Sequence, residues 1–140
     1  MKTKKFFSYI ILLFVALTLE LLLLTAVSSF PNTLIQENML VSAEYLCEKA
    51  PFFHMSSRDS ASRIDRYADA ILLNIAWSVD ASSPLLSAVS SAYYHDEYAN
   101  ENTNLLYAVT NDAAPTYEYM RYWHGSLVVL RPLLLLFSIK

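Results

Sequence analysis

Asp65 and Asp69 stand four residues apart, so a helix through them stacks both carboxylates on one face, beside Arg66. A pair so placed suits a base and a metal ligand at a sugar-transfer site, which makes these two the expected catalytic residues. It suits equally well a solvated face whose charge Arg63 or Arg66 offsets. Arg121, His124 and Arg131 are the expected ligand-binding residues, cations or potential cations in a stretch dense in Tyr and Trp. A guanidinium offers phosphate a planar fork, and aromatic faces pack against sugar rings or isoprenoid. Taken singly, Arg131 has a plainer role, reaching out to headgroups. His95 is followed by Asp96 and Glu97, but adjacent residues on a helix do not face one another. That cluster therefore reads as an exposed helix terminus rather than a metal site.

Composition narrows the chemistry. Gly125 is the single glycine, which leaves little material for the phosphate-cradling loops of Rossmann or P-loop proteins and points to helices. Cys47 is the single cysteine, so no intrachain disulfide forms and the thiol reads as a small buried hydrophobe. His54, His95 and His124 are too scattered for a structural zinc site; no metal and no cofactor is implied. A net charge of −3, with few fixed cations between residues 31 and 125, excludes a nucleic-acid surface.

What must position these residues starts with Phe6–Phe30, an apolar run of about 25 residues broken by Glu20 alone. At about 1.5 Å per residue, such a helix crosses a hydrocarbon core of roughly 30 Å with some tilt. Lys2, Lys4 and Lys5 precede the run and no Lys or Arg follows before Lys49. The N-terminus is therefore expected in the cytoplasm and the chain from Pro31 outside. The rival reading is a cleaved signal peptide, with Ala26-Val27-Ser28 before the cut; the length of the run and Glu20 argue for an uncleaved anchor. Glu20 is either one tolerated acid or a group facing another helix of a bundle. The expected architecture is all-α, in the cell membrane. It comprises a cytoplasmic tail 1–5, a transmembrane helix 6–30, an extracytoplasmic helical domain 31–125 and a truncated second membrane segment 126–140.

Within the exterior domain, Asn32 or Thr33 caps a helix to about Glu48 with Leu34, Val41 and Tyr45 apolar, and Ile35 and Leu46 beside them. Pro51–Met55 reads as an aromatic patch dipping into the membrane interface. The clearest amphipathic stretch is Asp59–Trp77, capped by Asp59 or Ser60, with Ile64, Tyr67, Ala68, Ile71, Leu72 and Ile75 on one face. Ser83-Pro84 opens a short helix to Tyr94, Asn100–Thr110 forms another, and Asn111–Pro115 turns. Tyr117–Gly125 is expected as an aromatic belt ahead of Ser126–Ile139, an apolar run interrupted by Arg131-Pro132 and too short to cross a bilayer unaided.

The run RYWHGSLVVLRPLLLLF, Arg121–Phe137, together with IDRYADAILLNIAW, Ile64–Trp77, resembles the opening of a group of large, uncharacterised polytopic membrane proteins of Gram-positive bacteria. Their pattern is Arg-Tyr-Trp-His-Gly followed by Arg-Pro-Leu-Leu. The likeness covers nearly the whole chain but only the amino-terminal part of such proteins. It implies a piece of a larger envelope protein, with the bilayer and further transmembrane helices as partners. The architecture is also similar, distantly, to membrane glycosyltransferases that use polyprenyl-phosphate sugars, which implies a lipid-phosphate substrate. Two functions follow as expectations: a fragment of a membrane enzyme handling lipid-linked sugars, or a non-enzymatic membrane-anchored protein whose ectodomain binds a partner or builds the envelope.

Overall fold

With no Gly or Pro ahead of Pro31 to interrupt it, the first helix, α1 (Lys2–Ser28), runs for 27 residues. Its hydroxyls are satisfied within the helix: Thr18 Oγ1 donates to Phe14 O at 2.8 Å and Thr25 Oγ1 to Leu21 O at 2.7 Å. From Phe6 to Leu23 the side chains are exposed or half-buried, and burial begins at Leu24, continuing with Val27 and Ser28. The computed structural model describes residues 2–48, 50–54, 63–120 and 125–139.

A single 3-10 turn (Asn32–Leu34) leads into α2 (Gln36–Cys47). An antiparallel ribbon follows, β1 (Phe52–His54) with β2 (Arg63–Asp65), Phe53 opposite Ile64. α3 (Arg66–Trp77) grows directly out of β2. After it come α4 (Pro84–Ser90), β3 (Ala92–Tyr93), α5 (Glu101–Asn111), β4 (Tyr117–Glu118) and α6 (Leu127–Leu134). β3 and β4 pair antiparallel, Tyr93 opposite Tyr117. The described residues thus form a mostly helical protein, six α-helices with two small ribbons, where the sequence suggested helices alone.

The core lies where α5 packs against α2 and α3. Ile35, Met39, Ala43 and Leu46 enter it from α2 and its cap, Ala70, Leu73 and Trp77 from α3, and Leu105, Ala108 and Val109 from α5. α4 and α6 pack instead on α1, with α6 also reaching α3. The buried stripe of α2 is Ile35, Met39, Ser42, Ala43 and Leu46, whereas Leu34, expected inside, is 58% exposed. Small Ser42 and Ala43 carry little apolar signal, yet small side chains are what let neighbouring helices approach closely.

α3 departs further from expectation. Its cap is Asp65, whose Oδ1 accepts from Ala68 N at 3.0 Å, and residues 63–65 are strand, so the helix starts later than the sequence suggested. Asp59 and Ser60, the expected caps, lie outside the described residues. The buried residues are Arg66, Ala70, Ile71, Leu73, Asn74, Ile75, Ala76 and Trp77, with Tyr67 and Ala68 turned outward. Two of the inward residues are polar and fully engaged: Arg66 Nη1 donates to Tyr45 O at 2.5 Å, and Asn74 Nδ2 to Tyr94 O at 2.9 Å. Ile71 and Ile75, expected on the apolar face, are buried, so the inward face overlaps the expected one and differs from it at Tyr67 and Ala68, which turn outward, and at Arg66 and Asn74, which turn in.

The aromatic segments also settle differently. Phe52 stacks on Tyr67 with ring centroids 5.4 Å apart, and the Arg66 guanidinium lies 5.0 Å from the Phe53 ring, so residues 52–54 of this patch form a strand packed on the domain, while Met55 lies outside the described residues. Tyr117, expected in a belt, is a strand residue. The stretch 126–140 holds the eight-residue α6, with Leu127, Arg131 and Leu134 buried. Among the described residues, only α1 is long and apolar enough to cross a membrane.

Candidate functional site

β3 delivers Tyr93 and then His95, whose backbone is clipped to Thr116, the residue before β4. Thr116 Oγ1 accepts from His95 N at 2.8 Å and donates to His95 O at 2.7 Å, while Thr116 N donates to Tyr93 O at 3.0 Å. On the other side of the loop, Asn100 caps α5 by accepting from Thr103 N at 3.1 Å. The cap fixes Glu101 in the first turn, where a carboxylate is favoured by the helix dipole. These two anchorages bring His95 Nδ1 to 2.9 Å from Glu101 Oε1.

Glu101 is buried, its side chain 4% exposed, against 31% for His95. Its second oxygen accepts from Asn104 Nδ2 at 3.2 Å, and Asn104 also takes the Asp96 amide on its Oδ1 at 3.3 Å. A carboxylate only accepts, so the short contact requires the proton on His95 Nδ1. The longer contact from Asn104 Nδ2 to the same nitrogen, 3.4 Å, would need the opposite tautomer and gives way to it. With the proton on Nδ1, the other ring nitrogen, Nε2, faces away from a buried carboxylate, the arrangement of an oriented base or hydroxyl partner.

Tyrosines surround the pair. Tyr93 makes edge contacts with His95, Tyr117 and Tyr119 at centroid distances of 6.0, 5.7 and 5.9 Å, and Tyr117 lies 5.6 Å from the imidazole. Burial, and after it the charge of Glu101, pushes up the phenols of both Tyr93 and Tyr67. Glu101 acting on both places Tyr67, at the start of α3, in the same electrostatic neighbourhood as the β3–β4 ribbon.

The residues singled out from sequence fall out as follows. Asp65 caps α3 and Asp69 sits one turn later, exposed. Although Asp69 is exposed as a residue, partial desolvation of its carboxyl and then the charge of Asp65 raise it above the usual carboxylate range, against a smaller opposite pull from Arg66. The two carboxylates therefore share one helix face, with Tyr67 between them in sequence. Arg121 and His124 lie outside the described residues. Arg131 is fully buried, and its guanidinium is taken up inside the protein. Nε donates to Val27 O at 3.0 Å, Nη2 to Phe30 O at 2.5 Å, Nη1 to Ala76 O, and both Nη groups to Asn32 Oδ1 at 3.3 Å. That leaves no N–H of Arg131 directed at an external phosphate. Cys47 Sγ donates to Asn102 O at 3.2 Å beside a cleft of about 290 Å³ shared with Glu48 and Asn100, and burial pushes its thiol up, away from the reactive thiolate.

Glu101 was not singled out from the sequence. The helix expected over Asn100–Thr110 is enough to put Glu101 in a first turn. Nothing in the spacing joined it to a histidine in the preceding loop, and the neighbours that drew attention, Asp96 and Glu97, are not the ones His95 meets. Comparison of the chain with models of protein families, with curated proteins and with solved structures finds no match in any of the three.

Proposed function

We propose that this chain is an integral membrane protein held by α1, its N-terminus cytoplasmic and residues 31–125 on the outer face, and that it serves an envelope protein handling lipid-linked sugars through the His95–Glu101 site. The observation that carries the anchored reading is where α1 becomes buried. Only 11% of its most apolar window is covered by protein, so it is not a core helix, yet Leu24, Val27 and Ser28 at its far end belong to the domain. A leader cut near Ser29 would remove three buried residues and the Val27 carbonyl that accepts from Arg131. A disposable leader has no reason to be built into the structure it leaves behind.

Phenol faces beside an oriented imidazole and a buried carboxylate suit a ring-shaped ligand rich in hydroxyls. An anchor in the bilayer brings such a site to ligands that lipid carries. In this reading His95 is the base or hydroxyl acceptor, Glu101 orients it, and Asp65 and Asp69 are rim acids. Phosphate recognition falls to Arg121 and His124, which follow β4 in sequence.

Topology is tested by labelling intact cells with a membrane-impermeant maleimide, using Cys47→Ser chains with a cysteine at Tyr98 or ahead of Phe6. The first should label and the second only after lysis, on a chain whose mass retains α1. A mature chain starting near Ser29, or an unlabelled Tyr98→Cys, overturns the anchor. The ligand is tested with a photoactivatable polyprenyl-phosphate hexose in nanodiscs. His95→Ala and Glu101→Gln should lose about tenfold or more of the crosslinking. Undiminished crosslinking with intact topology would leave the non-enzymatic anchored protein as the better reading.

A further inference from the structure

α4 and α6 are both packed on α1, and the part of α1 that is buried is its last turns, Leu24 to Ser28. Each short helix nevertheless turns apolar side chains away from the protein. α4 exposes Leu85, Leu86 and Val89, with Leu86 71% exposed. α6 buries Leu127, Arg131 and Leu134 on one face and exposes Val129 and Leu133 on the other. The helical course continues past α6, Phe137 N donating to Leu133 O at 2.9 Å, which carries the exposed stripe on to Leu136 and Phe137. Neither 84–90 nor 127–137 contains a charged residue apart from the inward, buried Arg131.

We infer that α4 and α6 form an apolar collar around the outer end of α1 that lies in the outer leaflet, so that the domain sits on the membrane as well as being tethered to it. The inference rests on reading α1 as a span. Lys5–Ser28, 24 residues, is about 36 Å of helix, longer than a hydrocarbon core of roughly 30 Å, so helices packed on its last turns fall at the outer boundary. The occupant is lipid because α4 and α6 pack on α1 itself, whose exposed apolar stretch lipid covers in this reading, and because an uncharged face of Leu, Val and Phe offers a protein partner no polar register. α6 thereby acts as an in-plane helix, which its eight residues permit where a second crossing is beyond their reach.

The test uses the whole chain with Cys47→Ser, reconstituted in vesicles of phosphatidylcholine and phosphatidylglycerol. It carries an environment-sensitive fluorophore on a single cysteine at Leu86, Leu136, Leu13 or Tyr98; Leu85 and Val129 serve as second positions should a labelled chain fail to fold. Shallow and deep spin-labelled lipids and aqueous iodide are the quenchers. Probes at Leu86 and Leu136 should be quenched about threefold more by shallow than by deep lipid and resist iodide, Leu13 should favour the deep label, and Tyr98 should respond to iodide alone. Iodide quenching at Leu86 and Leu136 with Leu13 still in lipid overturns the collar and leaves the anchor standing. Probes there that neither quencher reaches mean that protein covers the face, which also overturns it. Loss of lipid quenching at Leu13 removes the span itself.

Discussion

Among the described residues, Arg66 and Arg131 are buried cations whose hydrogen-bond partners are carbonyls rather than carboxylates. Arg66 donates to Tyr45 O and Leu46 O at the end of α2, with the Tyr45 ring 4.4 Å from its guanidinium carbon. Arg131 gathers Val27 O, Phe30 O and Ala76 O from the ends of α1 and α3. Terminal carbonyls carry the negative end of the helix dipole, so each guanidinium is balanced by partial charges and held by a fork that lysine cannot copy. Arg131→Met strands several acceptors and should cost about 3 kcal/mol or more, with Arg131→Lys recovering less than half. Thermal unfolding of the detergent-solubilised chain, followed by circular dichroism, measures both. At the site, the buried Glu101 carboxylate holds the His95 proton on Nδ1. Glu101→Gln should release it, and the imidazole ¹⁵N shifts should move toward the Nε2–H tautomer while the helical signal stays unchanged.

At the scale of elements, a chain with one glycine must end its helices by other means. α4 and α5 stop on residues forced into the left-handed region, Ser91 at φ 49° and Asp112 at φ 48°. α2 is closed by Arg66 and by Asn102 Nδ2 donating to Leu46 O at 2.7 Å, and α3 by Asn32 Nδ2 donating to Trp77 O at 2.6 Å. Asp112→Gly, at an exposed position, should therefore stabilise the chain by up to about 1 kcal/mol, whereas Asp65→Ala should cost about 1 kcal/mol and Asp65→Asn much less. Both appear in the same thermal unfolding assay. Asp69 adds a pH dependence. Its carboxyl is raised by burial and by Asp65, so the folded chain holds that proton more readily than the unfolded one. The stability this gives is present at low pH and fades as pH rises through the raised value. Asp69→Asn should be the more stable chain at neutral pH, and its advantage should shrink as pH falls toward about 4. The helix starts near Asn100 and at Ser83-Pro84 were legible in sequence because start signals are local, although Ser83 makes no capping hydrogen bond. Ile35, Leu46, Ile71 and Ile75 on the inward faces of α2 and α3 were legible too, but their polar members were not, because Ser42, Arg66 and Asn74 become core residues only through acceptors and donors on other elements.

For the molecule as a whole, the long first helix was the plainest feature of the sequence, since twenty-odd apolar residues need no tertiary contact to be recognised. Its second role was hidden. Val27 meets Arg131 across 104 residues, and Asn38 Nδ2 reaches Leu134 O at 2.9 Å across 96, pairings that no local periodicity encodes. Helix α1 and the domain consequently share one stabilising unit, joined at Leu24, Val27 and Ser28. Burying Leu24 and Val27 contributes about 3–5 kcal/mol, and the lost acceptor of Arg131 adds about 1–3 more, against a total of about 5–15 for a small domain. A chain starting at Ser29 should therefore lose cooperative unfolding and become protease-sensitive between α2 and α5, while one starting at Leu17, which keeps the buried turns and drops most of the apolar span, should keep both properties in mild detergent. If the Ser29 chain unfolded as sharply as the full one, α1 would be a tether and nothing more, and the burial at its outer end would be incidental to the fold.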